Sequence, residues 1–318
     1  MSVVTLQLGQ CGNQVGERLF QTLSNESLQG APSGRYRNDI QTRFFRRAKS
    51  RKGQATGGLV ARAVLVDMEP KVIHNVLAKA ASSQSWAYDA KRTFTQQCGS
   101  ANNWSYGYNL HGPKHGDAIL DVVRSEVERC DRLSGFLLLQ SLAGGTGSGV
   151  GTYVTELLAD EFGPGFMVNQ VVWPYESGEV IVQDFNSVLT LAKLTKESDG
   201  VVIFENDQLH TICSHLLNIK RVSFDDLNSL LARDLARVLL PSTEVEDPGT
   251  AMDSRVPTKS QQKPDSSQLH SKLTESRTRW IPLEQIVTHL FSNPKYKLSS
   301  VRAIPQVASS SKAFSSLS

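Results

Sequence analysis

No stretch of this 318-residue chain stays apolar over the roughly 20 residues that a membrane-spanning helix needs. The N-terminus carries no basic region ahead of its first apolar run, so no secretory leader is expected either. Cysteine is scarce: Cys11, Cys98, Cys130 and Cys213 stand far apart and without metal-ligand spacing. They are expected to be reduced cytosolic thiols, the first in a candidate ligand loop and the other three as packing residues. A P-loop ends in Gly-Lys-Ser/Thr, and no Gly-Lys dipeptide occurs anywhere in the chain. The dinucleotide fingerprint Gly-x-Gly-x-x-Gly fails as well, because Gly145 and Gly147 would need glycine at 150, where valine stands. A P-loop NTPase and a typical Rossmann dehydrogenase are therefore not expected.

Nor does one sign of charge dominate: 34 Lys and Arg against 31 Asp and Glu leave a net +3. The excess is local. Residues 35–52 carry Arg35, Arg37, Arg43, Arg46, Arg47, Lys49, Arg51 and Lys52 against Asp39 alone. This reads as a solvated surface loop; a contact for an acidic partner, or a weak nuclear signal, is the sharper alternative. Aromatic residues are few inside that run, which argues against a nucleic-acid stacking surface.

What the chain does have is enough apolar material for a large core and up to two domains, with 39% hydrophobic residues. Strands are read at 3–8, 62–66, 135–141, 168–173 and 200–205, with helical stretches between them. That alternation predicts an α/β fold, a parallel doubly wound sheet with helices on both faces. Each strand is followed by polar or glycine-rich residues: Gln10; Asp67 and Glu69; the 144–149 loop; Ser177 and Glu179; Glu205 and Asn206. In such sheets ligands bind beyond the carboxyl ends of the strands, so these residues are expected to converge on one site.

The most informative segment is Ala143-Gly144-Gly145-Thr146-Gly147-Ser148-Gly149, between the apolar run 135–141, which ends at Ser141, and a stretch of helical spacing with Val150, Val154, Leu157, Leu158 and Phe162 on one side. Glycines let a backbone approach a ligand closely, and the first N–H groups of a helix have no internal partner, so this strand–loop–helix junction predicts a phosphate seat. Thr146 and Ser148 add hydroxyl donors. Asp67 and Glu69 are too acidic to touch phosphate directly; a hard cation between them, Mg²⁺, fits two carboxylates, the alternative being an Asx-type turn before Pro70. Asn206 and Asn228 each offer an acceptor and two donors, which suits a guanine edge, and Phe224 offers a ring face for stacking. Phe224, Leu227, Leu231, Leu235 and Val238 form an apolar stripe on one helix, whose start Ser223 and Asp226 are expected to close as a capping box.

The heptad resembles the nucleotide-binding loop of the tubulin superfamily, and further motifs follow in that family's order. Gly9-Gln10-Cys11-Gly12-Asn13-Gln14 resembles its first nucleotide loop. Asp67-Met68-Glu69-Pro70 resembles the loop that reaches Mg²⁺ and the phosphates. Gly99-Ser100-Ala101-Asn102-Asn103-Trp104 resembles the loop near the terminal phosphate, where tubulins usually carry Gly-Ala-Gly. Ser177-Gly178-Glu179 and Gln183-Asp184-Phe185-Asn186 resemble the ribose loop. Glu205-Asn206-Asp207 and Phe224-Asp225-Asp226-Leu227-Asn228 resemble the guanine-reading segments. The segments Ala61–Ile73, Asn103–Tyr108, His111-Gly112-Pro113, Val172–Tyr175 and Leu298–Pro305 are similar to the delta branch of that superfamily.

The resemblance implies a GTP-binding unit over 1–240 of tubulin type, with a central helix at 223–240, and GTP or GDP with Mg²⁺ as its ligands. It implies a structural role with other tubulins or centriolar microtubules at centrioles, basal bodies and cilia, in the cytoplasm and cytoskeleton, with no nucleic acid and no membrane insertion. Two alternatives remain open: a GTP-dependent regulator that binds tubulin without entering a lattice, and an assembly-coupled GTPase. Residues 241–279, with four prolines among Ser, Thr, Gln and Lys, read as a disordered insertion. Residues 280–318 read as the start of a second domain, and the Ser-rich end at Ser318 implies a chain truncated before the family's C-terminal helices. The family's Asn-x-Asp loop is absent; Trp280-Ile281-Pro282 aligns with it and Glu284-Gln285 with the catalytic position. Hydrolysis by the chain alone is therefore expected to be weak or absent.

Overall fold

The computed structural model describes residues 1–28, 34–49, 55–163, 165–178, 180–240, 242–243, 278–279, 283–304 and 306. In chain order the elements are β1 (Ser2–Leu8), α1 (Gly9–Leu28), α2 (Gly34–Phe44), β2 (Phe45–Lys49), β3 (Ala55–Ala61), β4 (Ala63–Asp67), α3 (Pro70–Ser82), β5 (Trp86–Ala87), β6 (Thr93–Thr95), α4 (Trp104–Tyr106), α5 (Gly112–Val127), β7 (Leu133–Ser141), α6 (Gly151–Phe162), β8 (Phe166–Trp173), α7 (Gln183–Glu197), β9 (Gly200–Glu205), α8 (Asn206–Thr211), α9 (Phe224–Leu239), β10 (Ser242–Thr243), β11 (Thr278–Arg279), α10 (Leu283–Leu290) and β12 (Leu298–Ser300). Single π-helical turns, Gly107–His111 and Thr146–Val150, lead into α5 and α6.

The main sheet has seven strands in the order β12-β9-β8-β7-β1-β4-β6, and every pairing in it is parallel. All five strands read from the sequence are present. The two edge strands, β6 and β12, are only three residues long, too short to leave a periodic signal.

Side chains alternate between the faces of a strand, and both faces of this sheet are covered. Val3, Leu65, Leu137 and Leu139 pack on one side with Val15, Leu19 and Leu23 of α1 and Leu227, Leu231 and Leu235 of α9. Val4, Leu6, Leu8, Val64, Val66, Phe136 and Leu138 face the other side, against Ile119 and Val123 of α5 and Val154 and Leu158 of α6. At about 1.5–3 kcal/mol for each fully buried aliphatic or aromatic side chain, these two layers are the main driving force for folding.

Two expectations change. The basic run is not a loop: its first part forms α2 and β2, with Arg43 buried and Arg46 half-buried in an ion-pair network, and β2 joins β3 and β5 in a separate three-stranded sheet. The stripe of α9 runs through Leu227, Leu230, Leu231, Leu235 and Leu239, while Val238 is only half-buried and Phe224 is 64% exposed. Phe224 is the first residue of the helix, at its open end. The capping box forms as read: the Ser223 hydroxyl accepts from Asp226 N (3.3 Å) and the Asp226 carboxylate from Ser223 N (2.9 Å). Most of the 241–279 segment, and Trp280–Pro282, lie outside the described residues; β10 and β11, near its two ends, pair antiparallel.

Candidate functional site

The strand order reverses beside β1: the chain proceeds through β4 and β6 on one side, and through β7, β8 and β9 on the other. At such a switch point the loops leaving two adjacent strands turn apart and open a crevice at their carboxyl ends. A cavity of about 470 Å³ lies there, within the size range of nucleotide-sized ligands.

Four loops build its walls. From β1, Gly9 makes the turn into α1 with φ +70°; a Cβ on it would stand 2.7 Å from Gly147 N, so the turn admits only glycine. It delivers Gln10 and Cys11 to the cavity, with Gln14 one turn further on. Burial pushes the Cys11 thiol up to about 12, which makes it a contact surface and not a nucleophile. From β7, Ser141, Gly144, Gly145, Thr146 and Gly147 line the wall. The Gly149 N–H is taken up inside the π-turn by Gly145 O (2.9 Å) and is not free for a ligand. Ala143, Ser148 and Gly149 do not line the cavity: the buried Ser148 hydroxyl donates to Gly144 O, and so shapes the turn without offering a donor to ligand.

From β6, residues 99–102 close over the heptad. The Ser100 hydroxyl bonds the Thr146 hydroxyl at 3.0 Å. Ala101 and Asn102 both take left-handed backbone, φ +48° and +51°, a conformation that costs a non-glycine residue about 1–2 kcal/mol. A Cβ at Gly145 would fall on the Ser100 carbonyl oxygen and 2.8 Å from Asn103 N, whereas one at Gly144 would meet nothing closer than Asn102 Oδ1 at 4.0 Å. Gly145 is thus required by loop-on-loop packing, and Gly144 is the one whose missing side chain leaves space open.

One residue holds these two loops together. Asn186 on α7 is 3% exposed. Its Nδ2 donates to Asn102 O (2.8 Å) and Ala143 O (2.7 Å), and its Oδ1 accepts from Trp104 N (2.9 Å). Sequence reading placed Asn186 in a motif but assigned it no role; nothing in local spacing reveals that its amide reaches two loops more than 40 residues away in sequence. Its neighbour Gln183 also turns inward: 8% exposed, it donates to Tyr175 O (2.9 Å) and does not line the cavity. Glu179 lies outside the described residues.

From β4 come the carboxylates. Asp67 is 5% exposed, and one of its oxygens accepts from Met68 N at 2.8 Å. Burial is the main force on it and raises its acid to about 6 against two backbone N–H groups that lower it; the nearby Glu69 charge adds to the rise. Glu69 lies over Gly99, where a Cβ would come 2.5 Å from its Oε1. Two hard oxygen donors with a buried, unneutralised charge fit a divalent cation that completes its shell with ligand oxygens and water. No cluster of three or more His, Cys, Asp or Glu that could hold a metal occurs among the described residues, so any ion here depends on the ligand for its remaining contacts.

The far end of the cavity carries Asn206 at the start of α8, and Phe224 and Asn228 on α9. Among the described residues neither amide has a hydrogen-bond partner. The exposed Phe224 ring stands 6.3 Å from Tyr175. Arg18 of α1 grips the Asp225 carboxylate through Nε (3.0 Å) and Nη2, which fixes the start of α9 against the sheet. Val72, Val172 and Val180 supply apolar wall that sequence reading did not single out. Of the cysteines outside the loop, Cys213 is buried, Cys130 half-buried and Cys98 exposed, so Cys98 is not a packing residue.

No helix among the described residues is long and apolar enough to cross a membrane. The family model described as Tubulin/FtsZ family, GTPase domain, matches residues 2–214. Among curated proteins the chain is 44% identical to a mouse (Mus musculus) tubulin delta chain, over 99% of this chain and 63% of that protein. It is 42% identical to the human (Homo sapiens) tubulin delta chain, again over 99% and 63%, and 42% identical to the dog (Canis lupus familiaris) one over 99% and 64%. The chain therefore spans a little under two thirds of the length of these relatives. A parallel sheet with its phosphate-type loops at the switch point, matched by the family model from residue 2 to residue 214, makes this chain a member of the Tubulin/FtsZ family.

Proposed function

We propose that this chain binds guanine nucleotide together with Mg²⁺ in the cavity at the carboxyl ends of β1 and β7, and acts as a structural cytoskeletal protein of the delta-tubulin type. The observation that carries the nucleotide reading is the pairing of two amides without partners among the described residues, Asn206 and Asn228, with an exposed aromatic ring at one end of a cavity whose other end is glycine-rich backbone. Free amides supply both donors and acceptors, and a guanine edge presents both, an O6 acceptor beside N1–H and N2–H donors; adenine presents them in the reverse order, so amides set for guanine meet it mismatched. The backbone of 144–147 would hold the phosphates, with Asp67 and Glu69 holding Mg²⁺, which neutralises charge between carboxylates and phosphates. In this reading residues 1–240 are the nucleotide unit and 280–318 begin a second domain. Similarity to tubulin delta chains supports work alongside other tubulins in organising centrioles, basal bodies and cilia. Alone, the chain is expected to turn GTP over slowly or not at all.

The test is a filter-binding titration of the full chain with GTP and ATP. A wrong base leaves polar groups unpaired at about 1–3 kcal/mol each, so GTP should bind at least tenfold tighter. Equal affinities would refute the assignment of Asn206 and Asn228.

A further inference from the structure

A second cavity lies at the opposite end of the sheet from the nucleotide site. It measures about 1050 Å³. Its walls are the amino ends of the central strands, Ser2 and Arg62, together with β2, the segment 88–91 and the segment 128–131. Five basic side chains line it, Arg46, Arg47, Arg62, Lys91 and Arg129, against three acidic ones, Asp89, Glu128 and Asp131.

The pairing within it is uneven. Arg46 reaches Asp89 (2.6 Å) and the fully buried Glu126 (3.2 Å), and Arg129 shares Asp89 at 3.5 Å. Arg47 and Lys91 have no acidic partner among the described residues. Arg62 is the decisive group. It is 6% exposed, yet no carboxylate lies within ion-pair distance among the described residues. Its Nε donates to Phe45 O (3.0 Å), and its Nη1 to Arg129 O (3.0 Å) and Cys130 Sγ (3.4 Å). Nη2 has no acceptor among the described residues, and Arg62 lines the cavity. A guanidinium held this far from water without an opposite charge is costly, and its remaining Nη2 can donate to one carboxylate oxygen.

We propose that this cavity is a docking site for an acidic peptide segment of a partner, one carboxylate of which pairs with Arg62 while Arg47 and Lys91 take others. The volume selects a peptide over a free anion, being at the upper end of ligand-pocket sizes and far larger than a phosphate needs. The walls offer no exposed ring for base stacking: Phe45 is fully buried and Tyr88 is 8% exposed. Arg46, already paired with Asp89 and Glu126, forms the floor and not a contact.

The experiment is fluorescence anisotropy of a labelled polyglutamate peptide titrated with the full chain, with a polyglutamine peptide of equal length as control. The wild type should bind the acidic peptide, with affinity falling as salt rises. The double substitution Arg47→Ala, Lys91→Ala changes only exposed side chains, so it should stay folded and lose at least about tenfold in affinity. Arg62→Lys should lose a similar factor, since a single ammonium cannot hold the Phe45 and Arg129 carbonyls and also present a donor where Nη2 stands. GTP affinity should not change in any of these variants. The proposal fails if polyglutamine binds equally, if the double variant binds as wild type, if a nucleic-acid oligomer binds more tightly than the peptide, or if inorganic phosphate displaces the peptide at concentrations that do not simply reflect ionic strength.

Discussion

Asn186→Ala is expected to cripple nucleotide binding even though Asn186 forms no part of the cavity wall. The amide makes three hydrogen bonds to main chain, at 2.7, 2.8 and 2.9 Å, and is 3% exposed. Truncation leaves the carbonyls of Asn102 and Ala143 and the N–H of Trp104 without it. A buried backbone group left unpaired costs about 1–3 kcal/mol. Asn102 borders the cavity, where water can reach it, so the low end of that range for each group, about 3 kcal/mol in all, is the working figure. That energy divides between global stability and the alignment of the two loops, and about half of it in binding is a loss of roughly tenfold in nucleotide affinity. The assay is an equilibrium titration with a fluorescent GTP analogue at a temperature where circular dichroism shows the variant folded, with urea denaturation alongside. Asn186→Asp is the discriminating control. It keeps the acceptor for Trp104 N but sets a carboxylate against two carbonyl oxygens, so it should bind no better than Asn186→Ala. The clamp argument is refuted if folded Asn186→Ala binds within about twofold of wild type, or if Asn186→Asp restores affinity.

Three further outcomes follow from the same geometry. Because burial raises the Asp67 acid to about 6 from 3.8, the nucleotide-free fold favours its neutral form: that contribution, about 3 kcal/mol, is full below the unfolded value and lost as pH rises through about 6. Asp67→Asn should therefore raise the melting temperature of the free protein at pH 8, while Mg²⁺ affinity in the presence of GTP should weaken in wild type as pH falls below 6 and do so less steeply in the variant, where only the phosphate still titrates; calorimetry at several pH values checks both. Gly144→Ala should melt like wild type but bind nucleotide poorly, whereas Gly145→Val should lose both stability and binding, because its side chain strikes the 100–103 backbone; matched melting temperatures for the two would contradict this. Ala101→Gly relieves a left-handed alanine worth about 1–2 kcal/mol and adds about 0.4–1 kcal/mol of unfolded-state entropy, so a net gain in stability of about 0–1.6 kcal/mol is expected by denaturant titration.

Most of the sheet was legible because each central strand is a short apolar run flanked by polar or glycine-rich residues, and the capping box of α9 was legible because it is a local pattern of Ser223 and Asp226. The loops of the site were legible for the same reason, being strand–loop–helix junctions. Residues 93–95 and 298–300 were not, since three residues carry no period. The basic run misled: charge density suggested a solvated loop, while Arg43 and Arg46 are drawn inward by packing and by Asp89 and Glu126, partners distant in sequence.

The sequence by itself determined which segments could present backbone to phosphate, which carboxylates could face a cation, and which amides could read a base, because those are properties of residue type at a strand end. Only the tertiary structure decided which glycine is needed for packing and which for space, that Ser148 and Gln183 turn away from the cavity, and that Asn186 joins two loops. It also decided that Arg62 is buried beside a second cavity with no carboxylate to meet it among the described residues. Each of these depends on contacts between segments far apart in the chain, where the cost of burying an unpaired group, and not local propensity, settles the arrangement.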